Sequence, residues 1–237
     1  MRRGAPAPLL FVGNVARRRG LAATRYLREL ERLVGLARRN RFLLVNDNPY
    51  GVLVDGEPLS LLSIEGSADV ALELSSLSKS HNMAGWRVGW VAGNAGAIDA
   101  VLRVRSNSDS GMFLPIQLAA AAALERPHDD LAALRNTYAE RRAIGTELLL
   151  ALGCADPGKQ AGVFVWAKAA DSIPDVEAWL DELLLETRVF LAPGSIFGAA
   201  GRRFVRLSLC NAEASLSEAR SRIGRFVARR ESGRLAS

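Results

Sequence analysis

Apolar runs alternate with amphipathic stretches along the first part of the chain. Residues 8–12 (PLLFV) and the segment RFLLVND read as short buried strands, and the stretch between them, residues 24–40, has the spacing of an amphipathic helix. One face of that helix is predicted to carry Leu27, Leu30, Leu33, Val34 and Ala37. Strand, helix and strand in this order predict two parallel strands joined by a right-handed crossover. We therefore expect an α/β fold built on a mostly parallel sheet with helices on both faces.

The pattern changes twice further along the chain. Two more strand candidates, DVALELSSLSK and WRVGWVAG, are followed from about residue 95 by helical stretches, the longest running from Asp129 to Leu152 and ending at Gly153 and Pro157. Short strands and helices then alternate from AGVFVWAKA to the C-terminal AEASLSEARSRIGRFVARR. We predict a partial large domain over residues 1–127, followed over residues 128–237 by a linking helix and a smaller α+β domain.

Composition narrows the class of protein. The chain has 237 residues, 49% of them hydrophobic and 24% charged, which suits a globular protein with a sizeable core. Its longest apolar runs are far shorter than the roughly 20 residues that a membrane-spanning helix needs, so no membrane partner is expected. Cys154, Cys210, His81 and His128 lack the spacing of metal ligands or of a disulfide framework. We expect no metal and a cytoplasmic location.

The net charge of +6 raises the possibility of nucleic-acid binding. Arginines such as Arg135 and Arg141 alternate with Glu140 and Glu147 on a predicted helix, however, and such a mixed face is usually solvated surface. A basic nucleic-acid-binding protein is therefore kept only as a minor alternative, and no nucleic-acid partner is expected.

Lysine is rare in this chain, and one lysine lies in an unusual setting. Only three of the 31 basic residues are lysines, and Lys79 lies in SSLSKSHNMAGWRVGW directly after a predicted strand. An amine can attack a carbonyl group, whereas a guanidinium stays charged and cannot form an imine. Asp47, Tyr50, Ser76 and Arg87 also lie at predicted strand ends or in the loops that follow. Position 79 is thus a candidate for a nucleophilic amine.

Four segments carry a family resemblance. NDNPY, SSLSKSHNMAGWRVG, PGSIFG and FVRLSL closely resemble the class I/II aminotransferases, which are fold type I enzymes that use pyridoxal 5′-phosphate (PLP). The most specific segment is Ser-x-x-Lys followed eight residues later by Arg within Gly-x-Arg-x-Gly. The resemblance implies a three-layer PLP-transferase large domain, here incomplete, and a small C-terminal domain. It also implies exchange of an amino group between an amino acid and a 2-oxo acid, and a homodimer in the complete protein.

The resemblance assigns roles to six residues. Lys79 corresponds to the catalytic lysine that bonds to PLP and moves the substrate proton. Asp47 corresponds to the carboxylate that pairs with the pyridine nitrogen, and Tyr50 to the phenol that bonds the ring oxygen. Ser76 and Arg87 match a phosphate-binding pair, for which a hydroxyl and a planar charged fork are well suited. Arg206 corresponds to the arginine that binds the substrate carboxylate.

The chain departs from the family pattern in two ways. The resemblance begins midway through the large domain, so we expect an N-terminally truncated member. GNVARRRG (residues 13–20) stands where the family has Asn-Pro-x-Asn-Pro-Thr-Gly, and the asparagine that contacts the ring oxygen is lost or displaced to Asn14. We hypothesise a shifted reading frame or a decayed copy at this point. The alternatives are therefore a catalytically inactive remnant of the family or a PLP carbon–sulfur lyase, the latter disfavoured because Tyr50 is not a histidine.

Overall fold

The structure is a computed structural model that describes residues 9–13, 23–54, 58–126 and 129–235. The chain divides into two compact units, residues 1–133 and residues 134–237. The domain boundary expected from the sequence, between residues 127 and 128, lies a few residues before this division. It stays a prediction.

The first unit is built on a four-stranded sheet in the order β1-β2-β3-β4. Its elements are β1 (Leu9–Gly13), α1 (Ala23–Asn40), β2 (Leu43–Asp47), β3 (Ala71–Ser76), α2 (Leu77–Ser80), β4 (Gly89–Gly93), α3 (Ala95–Ser108) and α4 (Leu114–Leu124). β1, β2 and β3 are parallel, and β4 is an antiparallel edge strand. The predicted α/β class and the mostly parallel sheet are confirmed.

Helix α1 supplies much of the core of this unit. Leu30, Val34 and Ala37 are buried, as the helical spacing predicted. They share a core cluster with Leu44 of β2 and with Leu61, which lies in a 3-10 turn. Leu27 and Leu33 are only half-buried. Since side chains three and four positions apart share a helix face, the apolar stripe of α1 is what fixes it against the sheet.

A second, smaller cluster lies beneath the loop that follows β3. Leu77, Met83, Val88 and Ala120 are buried together, with Ile116 of α4 packed against them. The cluster therefore holds the segment between β3 and β4 in place.

Tryptophans, as large apolar side chains, are predicted from their residue type to lie in the core, but two of the four are not buried. Trp86 is 48% exposed and Trp90 is 43% exposed, because Trp86 lies in the 3-10 turn Ala84–Trp86 and Trp90 on the edge strand β4. That prediction was wrong for these two residues. It is confirmed for Trp179, which is 8% exposed, whereas Trp166 is half-buried.

The second unit is an antiparallel three-stranded sheet, in the order β5-β7-β6, with helices. Its elements are the greater part of α5 (Asp129–Ala151), then β5 (Phe164–Lys168), α6 (Val176–Thr187), β6 (Ala192–Pro193), β7 (Phe204–Ser208) and α7 (Glu213–Leu235). Gly153 has a φ of +78°, and the backbone N–H of Cys154 donates to the Leu149 carbonyl, so the predicted glycine end of α5 is confirmed. The small α+β pattern expected from the sequence is confirmed.

Candidate active site

Strands β2 and β3 bring two predicted site residues to one edge of the first unit's sheet. The strands are parallel, and Asp47, the last residue of β2, is paired with Leu74, two residues before the end of β3 at Ser76. The carboxyl ends of parallel strands are where α/β sheets bind ligands. The structure therefore places Asp47 and Ser76 at the end of the sheet where a ligand is expected.

Asp47 points away from the core although both of its neighbours are buried. Asn46 is 0% and Asn48 is 6% exposed, whereas Asp47 is exposed, as the alternation of side chains along a strand requires. Among residues 9–13, 23–54, 58–126 and 129–235, no ion-pair partner of the Asp47 carboxylate is found. The carboxylate is thus presented to the side of the sheet opposite to the α1 core.

Tyr50 lies in the turn directly after β2. The backbone N–H of Gly51 donates to the Asn48 carbonyl at 3.3 Å, and that of Leu53 donates to the Tyr50 carbonyl at 2.9 Å. Tyr50 is half-buried. Tyr50 is three positions after Asp47, and these hydrogen bonds fix the turn that carries it.

Ser76 joins the end of β3 to the one-turn helix that carries Lys79. Its Oγ accepts a hydrogen bond from the backbone N–H of Ser78 at 3.1 Å, which makes Ser76 the N-cap of α2. The same hydroxyl lies 2.9 Å from the Ser78 Oγ. Lys79 is the third residue of α2 and is half-buried. Ser78, which was not among the site residues predicted from the sequence, therefore forms a pair of neighbouring hydroxyls with Ser76.

Arg87 is brought towards Ser76 by the closure of β3 onto β4. Ser76 pairs with Gly89, and its Oγ lies 3.3 Å from the Val88 carbonyl oxygen. Arg87 itself has a left-handed φ of +54°, and its Nη1 donates to the Ala84 carbonyl at 3.1 Å. The turn thus places the exposed guanidinium next to the strand ends.

His81 has a partner within the same loop. Its Nδ1 lies 2.7 Å from the Ser80 Oγ. Partial burial lowers the pKa of His81, and the nearby Arg126 guanidinium lowers it further. His81 is therefore held as a neutral hydrogen-bonding residue near neutral pH.

Arg206 lies in the second unit, on β7. It is half-buried, and its guanidinium carbon lies 4.3 Å from the ring centroids of both Phe164 and Phe197. These are cation–π distances. The aromatic rings hold the planar fork in one orientation, which suits two parallel hydrogen bonds to a carboxylate.

A buried polar cluster that was not predicted from the sequence lies beneath Asp47. Glu73 on β3 is 4% exposed and accepts hydrogen bonds from Asn46 and Asn48. A glutamate within the apolar strand ALEL was the signal that could have revealed it, because charged side chains are rarely buried without partners.

The parts of the chain that the structure describes contain no group of three or more His, Cys, Asp or Glu side chains able to hold a metal ion. No described helix has the length and apolar character needed to span a bilayer. A cavity of about 630 Å³ lies in the second unit, lined by residues of α5, α7 and the strands, Ser208 and Arg222 among them. None of the six predicted site residues lines it.

The sequence departs from the family pattern over residues 13–20, and of these, residues 14–20 lie outside the described residues. Asn14, the expected position of the displaced asparagine, is among them, so its role stays a prediction.

Known proteins match most of this chain. A family model described as aminotransferase class I and II matches residues 6–223. LL-diaminopimelate aminotransferase of Oleidesulfovibrio alaskensis is 37% identical over 196 residues, which are 81% of this chain and 50% of the relative. The enzyme of the same name from Natranaerobius thermophilus is 38% identical over 192 residues, 80% of this chain and 50% of the relative.

Solved structures agree with the sequence relatives. The apo structure of BacF from Bacillus subtilis superposes with a TM-score of 0.82 at 31% identity, covering 93% of this chain and 59% of that one. N-succinyldiaminopimelate aminotransferase from Mycobacterium tuberculosis gives a TM-score of 0.78 at 26% identity, with 91% and 57% covered. The chain spans about half the length of the curated relatives that it matches.

Proposed function

Because the chain belongs to the class I and II aminotransferases, we propose that it carries the cofactor-binding and carboxylate-binding residues of a PLP-dependent aminotransferase. The reaction is exchange of an amino group between an amino acid and a 2-oxo acid. The observation that carries the proposal is the convergence of Asp47 and Ser76 on the carboxyl-end edge of two parallel strands, with Lys79 three residues after Ser76.

The residues at this edge fit the chemistry of PLP. The cofactor has a basic ring nitrogen, a ring hydroxyl, an aldehyde and a phosphate. The edge provides one residue for each of the first three groups, the carboxylate of Asp47, the phenol of Tyr50 and the amine of Lys79. For the phosphate it provides two, the hydroxyl of Ser76 and the guanidinium of Arg87. The exposed Asp47 carboxylate, with no ion-pair partner among the described residues, suits a cationic ring nitrogen.

When bound, PLP supplies an electron-accepting ring that weakens the bond between the substrate Cα and its hydrogen. Asp47 would keep the ring nitrogen protonated, and Tyr50 would donate to the ring oxygen. Ser76 and Arg87 would hold the phosphate, the guanidinium through paired hydrogen bonds. Lys79 would hold the aldehyde carbon and take the proton from the substrate Cα.

Arg206 is proposed to bind the α-carboxylate of the substrate. A guanidinium held against two rings loses little conformational freedom when it binds, so its hydrogen bonds are already oriented. The relatives' name supports a diamino dicarboxylic acid as substrate, and LL-diaminopimelate is the first amino acid to test with this chain.

The test is covalent capture of the cofactor. The purified chain is incubated with PLP, reduced with borohydride and digested, and the modified lysine is identified by mass spectrometry. We expect the label on Lys79, and we expect Lys79→Ala to abolish it. Lys159→Arg and Lys168→Arg are the matched controls, because they remove the other two lysines and should leave labelling at Lys79 unchanged.

Label spread over all three lysines, or none on Lys79, would overturn the PLP assignment. Label on Lys79 without turnover of LL-diaminopimelate and a 2-oxo acid would favour the inactive remnant. Retention on DNA that weakens steeply with salt would favour the nucleic-acid alternative.

A homodimer in the cytoplasm completes the proposal. The homodimer is supported by the exposed apolar side chains of α3 and α4, since exposed apolar patches of this kind mark interaction surfaces. Leu102, Val104, Leu114, Leu118 and Leu124 are each more than half exposed. Leu118→Asp should convert a dimer to a monomer in sedimentation equilibrium, and a monomeric wild-type chain would contradict the assembly.

A further inference from the structure

Glu73 is a buried carboxylate that the proposed chemistry does not use. It lies in the middle of β3, is 4% exposed and is paired in register with Asn46 of β2. An ionisable side chain so far from water is costly unless hydrogen bonds satisfy it. The hydrogen-bond donors around the Glu73 carboxylate therefore indicate the role of this side chain.

Three donors from three separate segments converge on the Glu73 carboxylate. The Nδ2 of Asn46 donates to Oε2 at 3.1 Å, and the Nδ2 of Asn48 donates to Oε1 at 3.5 Å. The backbone N–H of Leu61, at the start of the 3-10 turn Leu61–Ser63, donates to Oε2 at 2.6 Å. One carboxylate thus ties together β2, the turn after it and the segment that leads to β3.

Asp47 lies between the two asparagines that Glu73 holds. Because strand side chains alternate, Asn46 and Asn48 point to the buried face and Asp47 to the opposite face. The backbone N–H of Asn48 also donates to the Leu74 carbonyl at 2.9 Å, and the Ser75 Oγ lies 3.3 Å from the Asn48 carbonyl oxygen. Rotation of this segment about the strand axis would break these bonds.

The residues held by Glu73 also contact the turn that carries Tyr50. A Cβ added to Gly51 would lie 2.5 Å from the Nδ2 of Asn48, so the turn packs directly against the amide that Glu73 binds. The position of this amide therefore affects the path of residues 48–51.

We propose that Glu73 is a positioning residue that aims the Asp47 carboxylate by holding the asparagines on both sides of it. This inference rests on the proposed function, in which Asp47 pairs with the pyridine nitrogen. Glu73 acts from the opposite face of the sheet and touches neither cofactor nor substrate.

The test compares the dissociation constants of PLP and of 1-deaza-PLP, an analogue with CH in place of the ring nitrogen. The wild-type chain should bind PLP more tightly, and Asp47→Asn should remove that preference. Glu73→Gln puts an NH₂ group against the converging donors, so we expect it to reduce the preference by about five- to tenfold while binding of 1-deaza-PLP stays unchanged. A general structural defect would weaken both ligands alike.

Glu65→Gln is the matched control, because Glu65 is exposed and its substitution should leave both constants as in the wild type. A second readout uses the cofactor-free chain. Glu73→Gln, and not Glu65→Gln, should speed amide hydrogen exchange at residues 46–51. Should Glu73→Gln fail to fold, Asn48→Ala removes one of the two asparagine contacts and should shift both readouts in the same direction.

The outcomes separate this inference from the proposed function. A wild-type chain that does not distinguish PLP from 1-deaza-PLP would overturn the role of Asp47 and this inference with it. Loss of the preference in Asp47→Asn, but not in Glu73→Gln or Asn48→Ala, would overturn this inference alone. Unchanged hydrogen exchange in Glu73→Gln would also overturn it.

Discussion

The guanidinium carbon of Arg206 lies 4.3 Å from the centroid of the Phe197 ring. Phe164 is equally close, and the Phe197 ring in turn contacts the edge of Trp166, with centroids 5.4 Å apart. The arginine therefore lies against a small aromatic network.

Removing the Phe197 ring should make Arg206 more accessible. We expect Phe197→Leu to increase the rate at which phenylglyoxal modifies Arg206 by about threefold, since an exposed cation–π contact is worth ~0.5–1 kcal/mol. Phe197→Tyr keeps the ring and should react like the wild type. Mass spectrometry of the peptide that contains Arg206 measures the rate, and equal rates in all three proteins would show that the ring does not shield the guanidinium.

The loop that carries Phe197 depends on a close contact between two glycines. A Cβ on Gly194 would lie 2.2 Å from the carbonyl oxygen of Gly201, and the backbone cannot yield as a side chain would. Gly194→Ala should lower the free energy of unfolding by about 1–3 kcal/mol, measured in urea.

Gly224→Ala is the matched control, because nothing lies within 4 Å of the added Cβ and the residue is inside α7. It should raise stability by roughly 0.5–1 kcal/mol, since alanine favours a helix over glycine. Equal effects of the two substitutions would contradict the steric account.

Two leucines on α6 give a test of the core of the second unit. Leu183 is 0% exposed and Leu185 is 70% exposed. Leu183→Ala should destabilise the protein by about 2–5 kcal/mol, because it leaves a cavity. Leu185→Ala should change stability by no more than about 0.5 kcal/mol. Urea denaturation of both variants decides the point, and a large loss in Leu185→Ala would mean that this face is covered.

The two cysteines should differ in reactivity. Burial raises the pKa of Cys154 to about 11, whereas Cys210 is exposed. At pH 8 we expect an aromatic disulfide reagent to modify Cys210 rapidly and Cys154 only after unfolding, because the thiolate is the reactive form.

Cys154 should also contribute to the pH dependence of stability. The ordinary pKa of a cysteine thiol is 9.0, so between about pH 9 and pH 11 the Cys154 thiol keeps its proton in the folded chain and has lost it in the unfolded chain. Stability should therefore fall as pH rises through this window. Cys154→Ala should flatten that part of the profile. An unchanged slope in this variant would assign the alkaline loss to other groups.

Much of the fold could be predicted because its elements have strong local signals. The helical spacing of Leu30, Val34 and Ala37 indicated α1, and Gly153 marked the end of α5. Such patterns depend on neighbours three or four residues away, which the chain carries with it. The exposure of Trp90 could not be predicted in this way, because it depends on which strand lies at the edge of the sheet.

The sequence predicted the residues of the candidate site. It did not predict the buried residues that hold them in position. Lys79, Ser76 and Arg87 stand in one continuous segment, whereas Glu73 and the asparagines that it binds are 25 and 27 residues apart. A pairing of that kind depends on the register of two strands.

The amino-acid sequence by itself determined the family, the order of helices and strands, and the chemical groups offered to a ligand, because these follow from residue identity and short-range periodicity. Only the tertiary structure decided which side chains from distant parts of the chain come into contact. It set the carboxylate of Glu73 beneath Asp47 and the rings of Phe164 and Phe197 against Arg206. The physical reason is that strand pairing joins residues distant in the chain and fixes the side of the sheet to which each one points.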